Sequence, residues 1–305
     1  MADTSQKPTA KAQAPTLPDT LRLGPVHLTV TDLDRSIPFY ERAIGLREQS
    51  REQGSAAMGA GGEDLLVLHE QPSGRPAGMH GGLYHYALLH PSRLELARAA
   101  HRLLVSGTPI SGASDHGISE AIYLPDPDGN GIELAADRPR ERWGDLSDPT
   151  TIGPRPLDLD GLLGMVKDEQ TGSGADPGLR VGHVHLHVGD VGEGLHFYRD
   201  IIGFEPMTVF PSAAFVSAGG YHHHLAFNTW RGEGVPPAPP EAVGLRRWTV
   251  LLEDQADVDD VHKRVHDAGL EHEHDEQDGG VVARDPWNNA LLVAAGPRPD
   301  SAPSS

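Results

Sequence analysis

The sequence contains no cysteine in its 305 residues. Disulfide bonds, iron–sulfur clusters and thiolate zinc sites are therefore excluded, and a reducing, cytoplasmic location is expected. A metal ion in this protein would have to be held by nitrogen and oxygen ligands. The chain has 18 histidines, more than a protein of this size normally carries, so imidazole nitrogens are the first candidates for such ligands.

Basic residues and long apolar runs are also scarce. The chain has 25 Lys and Arg against 44 Asp and Glu, for a formal net charge of −19 at pH 7. Nucleic acids and anionic lipids bind basic surfaces, so neither is an expected partner. No run approaches the roughly 18 apolar residues of a membrane-spanning helix, and residues 1–20 lack the apolar core of a signal peptide. We expect no membrane partner, and a homo-oligomer is compatible with the sequence.

A long internal repeat organises the chain. Residues 23–33 read LGPVHLTVTDL, and residues 181–191 read VGHVHLHVGDV. A Phe-Tyr pair and an Ile-Gly pair follow in both blocks, and matching positions from Gly24 and Gly182 onwards are 158 residues apart. Alternating apolar residues predict a half-buried strand, the Asp predicts a helix N-cap, and the later Gly predicts the end of that helix.

Each block has a second half with the same order of elements, a strand, a helix and a hairpin. The predicted elements are residues 83–89, 92–106 and the hairpin around 126–130 in the first block, and 246–252, 256–269 and the hairpin around 285–289 in the second. The chain thus has four copies of a strand–helix–strands module. We predict an α+β fold with two domains, each a pair of βαβββ modules forming a curved sheet around a cleft.

Composition sets the predicted boundaries. The two ends are rich in small and polar residues and are expected to be disordered. A segment rich in Pro, Gly, Asp and Arg separates the blocks and is predicted to be a linker with a helical turn or two. The predicted division is a tail at 1–20, a first domain at 21–136, a linker at 137–179, a second domain at 180–296 and a tail at 297–305.

Three candidate metal ligands in the first block occupy equivalent places in its modules. His27 and His85 lie on the first strands of the two modules, and Glu133 lies on the last strand of the second. The separations of 58 and 48 residues are about one module each. Two imidazoles and one carboxylate on one face suit non-haem Fe(II) with open positions for substrate and oxygen. The alternative is that each is an ordinary half-buried polar residue.

The segment from His116 to Glu133 reads HGISEAIYLPDPDGNGIE. It resembles the signature of the vicinal-oxygen-chelate superfamily, and within it the extradiol ring-cleaving dioxygenases of the catechol 2,3-dioxygenase type. A His, an aliphatic-Tyr pair, a polar-Pro step, a Gly and a closing Glu are all present, whereas Ser114 departs from the small residue expected two positions before the His. The module resemblance covers residues 22–136 and 180–295, but glyoxalases, epimerases and antibiotic-binding proteins share the module pattern.

This resemblance implies a chemistry and a set of partners. His27, His85 and Glu133 match the iron ligands of the family, with Mn(II) as an alternative to Fe(II). The implied substrates are an aromatic diol and O2. The implied reaction inserts both oxygen atoms and breaks the ring beside the diol, which gives a semialdehyde acid. Chelation of both catechol oxygens by the metal would lower the pKa of the hydroxyls and hold the ring beside dioxygen.

The resemblance also implies catalytic residues. Tyr123 matches the tyrosine that hydrogen-bonds the substrate, and His116 lies near the histidine that lines its pocket. The family uses a further histidine as acid–base, for which His69 and His80 are the candidates and His69 is preferred. A symmetric hairpin would place Tyr123 opposite the residue after Glu133, so we predict a one-residue bulge that brings the two side chains to one face.

The second block departs from this pattern. His185 repeats His27, but Trp248 and Leu292 stand in the places of the other two ligands and cannot bind iron, so this half is predicted to be degenerate. His222 and His224 allow two interpretations: a second metal site near His185, or a polar strand that lines a cleft or domain contact. Two other functions compete with the dioxygenase: a glyoxalase-like metal-dependent isomerase or lyase, and a non-catalytic protein that binds a small molecule.

Overall fold

The computed structural model describes residues 15–146, 153–170, 172, 174–275 and 279–296. Four modules follow one another along the chain. Module 1 consists of β1 (Arg22–Leu23), β2 (Val26–Val30), α1 (Leu33–Phe39), β3 (Arg47–Glu52), β4 (Ser55–Gly59) and β5 (Asp64–Glu70). Module 2 consists of β6 (Gly82–His90), α2 (Arg93–Ser106), β7 (Gly112–Asp115), β8 (Ser119–Pro125) and β9 (Gly131–Asp137).

The second half of the chain repeats this order after a short helix, α3 (Leu159–Gly164). Module 3 consists of β10 (Arg180–His187), α4 (Val191–Leu195), β11 (Glu205–Phe210), β12 (Ala213–Ser217) and β13 (Leu225–Asn228). Module 4 consists of β14 (Gly244–Leu252), α5 (Gln255–Asp267), β15 (His272–Asp275), β16 (Gly280–Arg284) and β17 (Ala290–Ala295). Short π-helical segments, Tyr40–Ile44 and His196–Ile202, continue α1 and α4, and a 3-10 turn covers Arg140–Arg142.

The first helices of modules 1 and 3 begin and end as the repeat predicts. The side chains of Asp32 and Asp190 accept hydrogen bonds from backbone N–H groups in the first turns of α1 and α4. The π-helical continuations end at Gly45 and Gly203, whose φ angles of 85° and 108° lie in the left-handed region that favours glycine. The repeated residues therefore fix the same helix boundaries twice.

The strands form two sheets, and each sheet joins modules from different halves of the chain. One sheet has the order β15-β16-β17-β14-β2-β5-β4-β3, with β1 paired to β14, and so contains modules 4 and 1. The other has the order β11-β12-β13-β10-β6-β9-β8-β7 and contains modules 3 and 2. At the centres of the two sheets, β14 pairs antiparallel with β2 and β10 pairs antiparallel with β6. The α+β fold of paired modules is confirmed.

The two sheets do not follow the contiguous domains predicted at 21–136 and 180–296, because each sheet takes one module from each half of the chain. The physical reason is the repeat itself. All four modules begin with a similar strand whose free edge must be paired. The sequence therefore predicts that the modules pair in twos. The strands that begin the four modules are too similar in sequence to show which module pairs with which.

The helices and the sheet faces that they cover share one hydrophobic core. Its largest fully buried side chains include Tyr40, Tyr86, Tyr198 and Trp248, which come one from each module. Trp248 stacks on Phe204, with ring centroids 6.2 Å apart. The core thus ties modules of both sheets together, and Trp248 is a core residue.

Two buried tyrosines hold the hairpin turns of other modules. The Tyr40 hydroxyl donates to Oδ2 of Asp126 at 3.0 Å, and the Tyr198 hydroxyl donates to Oδ2 of Asp285 at 2.9 Å. The Asp126 carboxylate also accepts from the backbone N–H of Asp128 and from the backbone and side chain of Asn130. The DPDGN turn between β8 and β9 is therefore fixed by a residue of module 1.

The ends and the connection differ in part from the prediction. Leu17 is buried, and its N–H donates to the Gly203 carbonyl at 2.8 Å, so residues 15–20 pack on the protein; residues 1–14 and 297–305 lie outside the described residues. In the predicted linker, Leu162 of α3 and Val166 are buried in the core. Within the described ranges, no helix is long and apolar enough to cross a bilayer.

Candidate metal centre

Three ligand atoms converge on adjacent strands of the sheet made by modules 2 and 3. Nε2 of His85 (β6) lies 3.0 Å from Oε2 of Glu133 (β9), and Nε2 of His183 (β10) lies 3.2 Å from the same oxygen. The two Nε2 atoms are 3.2 Å apart. Glu133 and His183 both pair with Ala87 of β6. Ala87 lies two residues after His85 and therefore faces the same side, so the side chains of His85, Glu133 and His183 share one face of the sheet.

The geometry of this group fits a metal ion. Ligands at metal–ligand distances of about 2.1 Å and right angles to one another are about 3.0 Å apart, close to the separations of 3.0 to 3.2 Å found here. All three residues are buried. Burial opposes ionisation of Glu133, but the neighbouring His183 and His85 outweigh it and hold the pKa of the carboxyl well below its usual value. Ionised oxygen and imidazole nitrogen are the donors that divalent transition metals bind.

A cavity of about 710 Å³ opens in front of the three ligand atoms. One part of its wall is polar and carries the His85–Glu133–His183 group. The other part is apolar, with side chains from module 3 and from the connection before it: Pro154, Phe210, Pro211, Ala213, Phe215 and Trp230. A planar apolar ring with polar substituents on one edge fits this division of the wall.

Tyr123 and His116 line the same cavity. The Tyr123 hydroxyl and Nε2 of His116 are 2.8 Å apart, and the rings of Tyr123 and His85 have centroids 5.7 Å apart. Burial and the charge of Glu133 raise the pKa of the Tyr123 phenol, and burial lowers the pKa of His116. The structure therefore brings a protonated phenol and a neutral imidazole to the ligand group.

The bulge predicted between Tyr123 and Glu133 is absent from the β8–β9 ladder. Tyr123 pairs directly with Glu133 in an unshifted register that runs from Ser119–Asp137 to Pro125–Gly131. The reason is the length of the turn. Because Pro125 pairs with Gly131, the loop contains five residues, 126–130. With a loop of this length Tyr123 lies directly opposite Glu133, and no extra residue is needed in either strand.

The structure does not bring His27 and His69, which were predicted as a metal ligand and an acid–base residue, to this group. They lie on β2 and β5 of the other sheet, where Nδ1 of His27 is 3.0 Å from Nε2 of His69. Burial, assisted by Arg247 and Arg246, lowers the pKa of His27 to about 3 and that of His69 to about 4. Because β2 pairs with β14 and not with β6, His27 is carried away from Glu133. His80 lies in the loop before β6 and contacts the Ala77 carbonyl.

His183 takes the place predicted for His27, and sequence reasoning missed it. The repeat aligns His27 with His185, and position 183 aligns with Pro25, so alignment of the blocks did not indicate His183. A signal was nevertheless present. In β10, His183, His185 and His187 alternate with aliphatic residues and therefore share one face. A strand face made of three histidines indicates a polar site more strongly than one repeated histidine does.

The other sheet has lost the equivalent group. In the ladder, Arg247 lies opposite His27, just as His85 lies opposite His185. The residue at the position of His85 is therefore Arg247. Trp248, which the sequence predicted for this position, is its neighbour. Arg247 forms an ion pair with Asp275 at 2.5 Å. Leu292 occupies the position of Glu133, as predicted from the repeat. Arginine and leucine cannot bind a metal ion, so this sheet keeps the architecture without the ligands.

Residues 221–224 form a loop, and they do not build a second metal site. His222 contacts Asp137 and His223, whereas Nδ1 of His224 lies 2.9 Å from the Ser217 hydroxyl. Over the ranges that the structure describes, His85, Glu133 and His183 are the one group of three or more potential ligands found close together. Of the three histidines in the loop, His222 and His223 line the cavity of that group, although they do not lie on the strand that the alternative interpretation assumed.

Comparisons with known proteins agree with this architecture. The sequence profile of the Glyoxalase/Bleomycin resistance protein/Dioxygenase superfamily matches residues 22–134 and 180–293. A catechol-2,3-dioxygenase from Bacillus subtilis (strain 168) is 41% identical over 277 residues, which cover 89% of this chain and 96% of that protein.

Solved structures show the same fold at low identity. A protein from Bacillus subtilis subsp. subtilis str. 168 has a TM-score of 0.65 at 14% identity, covering 93% of this chain and 87% of that one. Glyoxalase I from Zea mays has a TM-score of 0.55 at 16% identity, covering 90% of this chain and 92% of that one. The resemblance predicted from the sequence is confirmed: the chain belongs to the Glyoxalase/Bleomycin resistance protein/Dioxygenase superfamily.

Proposed function

We propose that this protein is an Fe(II)-dependent extradiol dioxygenase that cleaves the ring of a catechol-type diol with O2. The observation that carries the proposal is the convergence of His85, Glu133 and His183 on one point in the wall of a partly apolar cavity. The relative named catechol-2,3-dioxygenase, which matches this chain over nearly its whole length, supports the same activity. Atoms balance when both oxygens of O2 enter the product and the carbon–carbon bond beside the diol breaks.

The ligand set favours iron. Two imidazoles and one carboxylate on a single face are the ligands of non-haem Fe(II) sites, and they leave positions on the opposite side open. Mn(II) accepts the same donors and is the alternative ion. Fe(II) bound here would supply sites for both diol oxygens and for O2, and it would lower the pKa of the bound hydroxyls.

Three cavity residues have proposed roles in proton handling. Tyr123 keeps its proton because its pKa is raised, so its hydroxyl can donate a hydrogen bond to an anionic diol oxygen. His116, 2.8 Å from that hydroxyl, fixes its direction. His223 is the third residue, because its ring packs on His183 with centroids 4.1 Å apart and it lines the cavity. We assign to His223 the acid–base role that His69 cannot perform from the other sheet.

The apolar wall is proposed to hold the aromatic ring. Phe210 and Phe215 contact each other edge-to-face, with centroids 6.2 Å apart, and Phe215 also packs edge-to-face on His223. A ring bound between this wall and the ligand group would present its oxygens to the metal and exclude water from the reacting carbons. The size of the cavity leaves room for substituents on the ring.

Oxygen consumption with labelled O2 tests the proposal. The full chain is loaded with Fe(II) under anaerobic conditions, mixed with catechol or a substituted catechol, and exposed to 18O2. We expect one O2 consumed per catechol, a yellow ring-cleavage product, and two 18O atoms in that product. Absence of O2 uptake across several catechols would contradict the proposal and favour a glyoxalase-like isomerase, which needs no O2.

Glu133→Gln and His27→Gln form a matched pair of controls. Both introduce a neutral amide, but only the first removes a proposed ligand. Glu133→Gln should lose iron and activity together, whereas His27→Gln should keep both. Equal activity in the two variants would contradict the assignment of the site.

A further inference from the structure

A chain of hydrogen bonds leads from Asp137 to the cavity. Asp137 ends β9, four residues after Glu133 on the same strand. Its Oδ1 lies 2.9 Å from Nε2 of His222, and Nδ1 of His222 lies 2.8 Å from Nδ1 of His223. His223 then lines the cavity beside His183. A carboxylate, a buried imidazole and a second imidazole thus stand in series.

With Asp137 ionised and His222 neutral, the order of donors along this chain determines which ring nitrogens carry protons. An ionised carboxylate only accepts hydrogen bonds, so Nε2 of His222 must carry its proton. A neutral His222 then has a lone pair on Nδ1, and the 2.8 Å contact requires that Nδ1 of His223 carries a proton and donates it. A neutral His223 consequently has a lone pair on Nε2, its other ring nitrogen.

We propose that Asp137 and His222 are positioning residues that hold the ring of His223 in one orientation, with its Nδ1–H donating to Nδ1 of His222. This inference rests on the proposed function and adds two residues to it. The Asp137 carboxylate orients His222 through Nε2, and His222 in turn orients the histidine that lines the cavity.

The surroundings of His222 support a fixed orientation. Its side chain is 3% exposed, and its ring packs against Tyr221 and Trp143 with centroid distances of 4.0 and 5.1 Å. The second oxygen of Asp137 accepts from the Tyr221 hydroxyl at 2.9 Å. Both oxygens of the carboxylate are therefore engaged, and neither His222 nor Asp137 can turn without loss of a partner.

The tautomer of His223 can be measured directly. Two-bond 15N–1H correlation spectra of the 15N-labelled full chain, loaded with diamagnetic Zn(II), distinguish a proton on Nδ1 from one on Nε2, and His223→Gln assigns the signals. We expect Nδ1–H in the wild type and Nε2–H, the form that free imidazole side chains prefer, in His222→Leu. A wild-type proton on Nε2, or an unchanged tautomer in His222→Leu, would overturn the proposal.

His222→Gln is the conservative variant that separates this role from a purely structural one. The glutamine amide can donate to Asp137 and its carbonyl can accept from His223, so the Nδ1–H tautomer should persist. In the Fe(II)-loaded protein we expect kcat for catechol to fall about 10-fold or more in His222→Leu. We expect kcat within about threefold of the wild type in His222→Gln, with KM little changed in both variants.

Tyr221→Phe is the graded control, because it removes the other hydrogen bond to Asp137 and leaves the bond to His222. It should keep the wild-type tautomer and lower kcat less than His222→Leu does. Equal kcat in His222→Leu and the wild type would overturn the positioning role. If the wild type cleaves no catechol, the proposed function fails, whereas the tautomer measurement needs no turnover and still tests the geometry.

Discussion

Nε2 of His183 lies 3.2 Å from Oε2 of Glu133, although the two residues are 50 positions apart and belong to different halves of the chain. The contact exists because β10 of module 3 pairs with β6 of module 2, while β9 pairs with the other edge of β6. The candidate metal centre is thus a product of the pairing between modules. Neither repeat block contains all three proposed ligands.

The first prediction concerns the third ligand. Replacement of His183 by Gln should weaken binding of Fe(II) by more than about 100-fold, because loss of a ligand costs more than loss of an outer-shell contact. His27→Gln is the control at the position that the repeat indicated, and it should bind Fe(II) like the wild type. Metal content after anaerobic loading and desalting measures both. Retained iron in His183→Gln, or loss of iron in His27→Gln, would show that the ligand set is wrong.

The second prediction concerns the hairpin that carries Tyr123 and Glu133. Tyr40→Phe removes a buried hydrogen bond to the Asp126 carboxylate and should lower the free energy of unfolding by about 1.5–3 kcal/mol. It should also weaken metal binding, since the β8–β9 turn loses its anchor. Tyr198→Phe removes the equivalent bond to Asp285 in the sheet without ligands. In urea denaturation, Tyr198→Phe should lose a similar free energy of unfolding, but its metal affinity should not change. Equal metal affinities in Tyr40→Phe and Tyr198→Phe would show that the β8–β9 turn does not support the site.

The third prediction concerns His90, which is 3% exposed and whose ring nitrogens both lack a hydrogen-bond partner among the described residues. An unsatisfied buried polar group costs about 1–3 kcal/mol, so His90→Leu should raise the free energy of unfolding by that amount at pH 7. A stability equal to or below that of the wild type would indicate that the ring makes a compensating contact.

The same variant should change the pH dependence of stability. Burial and the nearby Arg102 lower the pKa of His90 to about 3 in the folded protein, whereas the unfolded chain takes up the proton near pH 6.5. The unfolded state therefore binds more protons between these values, and the wild type loses stability as pH falls through this window. From pH 7 to pH 5 the advantage of His90→Leu should grow by about 2 kcal/mol. A constant advantage would mean that the folded histidine titrates normally.

The fourth prediction concerns Tyr123. Tyr123 lines the cavity and pairs with Glu133 in the ladder, and its hydroxyl contacts His116, but it is not a member of the proposed ligand group. Tyr123→Phe should keep its iron and lower kcat by about 100-fold, since a positioned proton donor contributes on this scale. Steady-state kinetics with iron content measured on the same samples would separate the two effects. Full activity would remove Tyr123 from the mechanism.

The sequence predicts local structure and half of the candidate site well. Asp32 and Gly45 mark the ends of a helix because capping depends on neighbours in the chain. His85, Glu133, Tyr123 and His116 are brought together because they lie in one module, whose internal order the motif describes. These relationships join residues of one helix or one module, so they can be predicted from the spacing of residues in the sequence.

The place of His183, the third proposed ligand, could not be predicted because it depends on which strand edges pair. His27 and His185 look equivalent in the repeat, but β2 pairs with β14 and β10 pairs with β6. The free energy that selects these pairings is spread over the whole core, including Trp248 and Tyr86. An alignment of the two repeat blocks therefore does not show which strands pair. The β8–β9 hairpin is a second example. Its register depends on a loop of five residues, 126–130, and the sequence did not show that this length makes the predicted bulge unnecessary.

Anomalous diffraction at the iron edge from anaerobic crystals of the Fe(II)-loaded protein tests the central claim most directly. We expect one iron peak within about 2.2 Å of Nε2 of His85, an oxygen of Glu133 and Nε2 of His183. A peak between His27 and His69, or no peak at the His85–Glu133–His183 group, would contradict it.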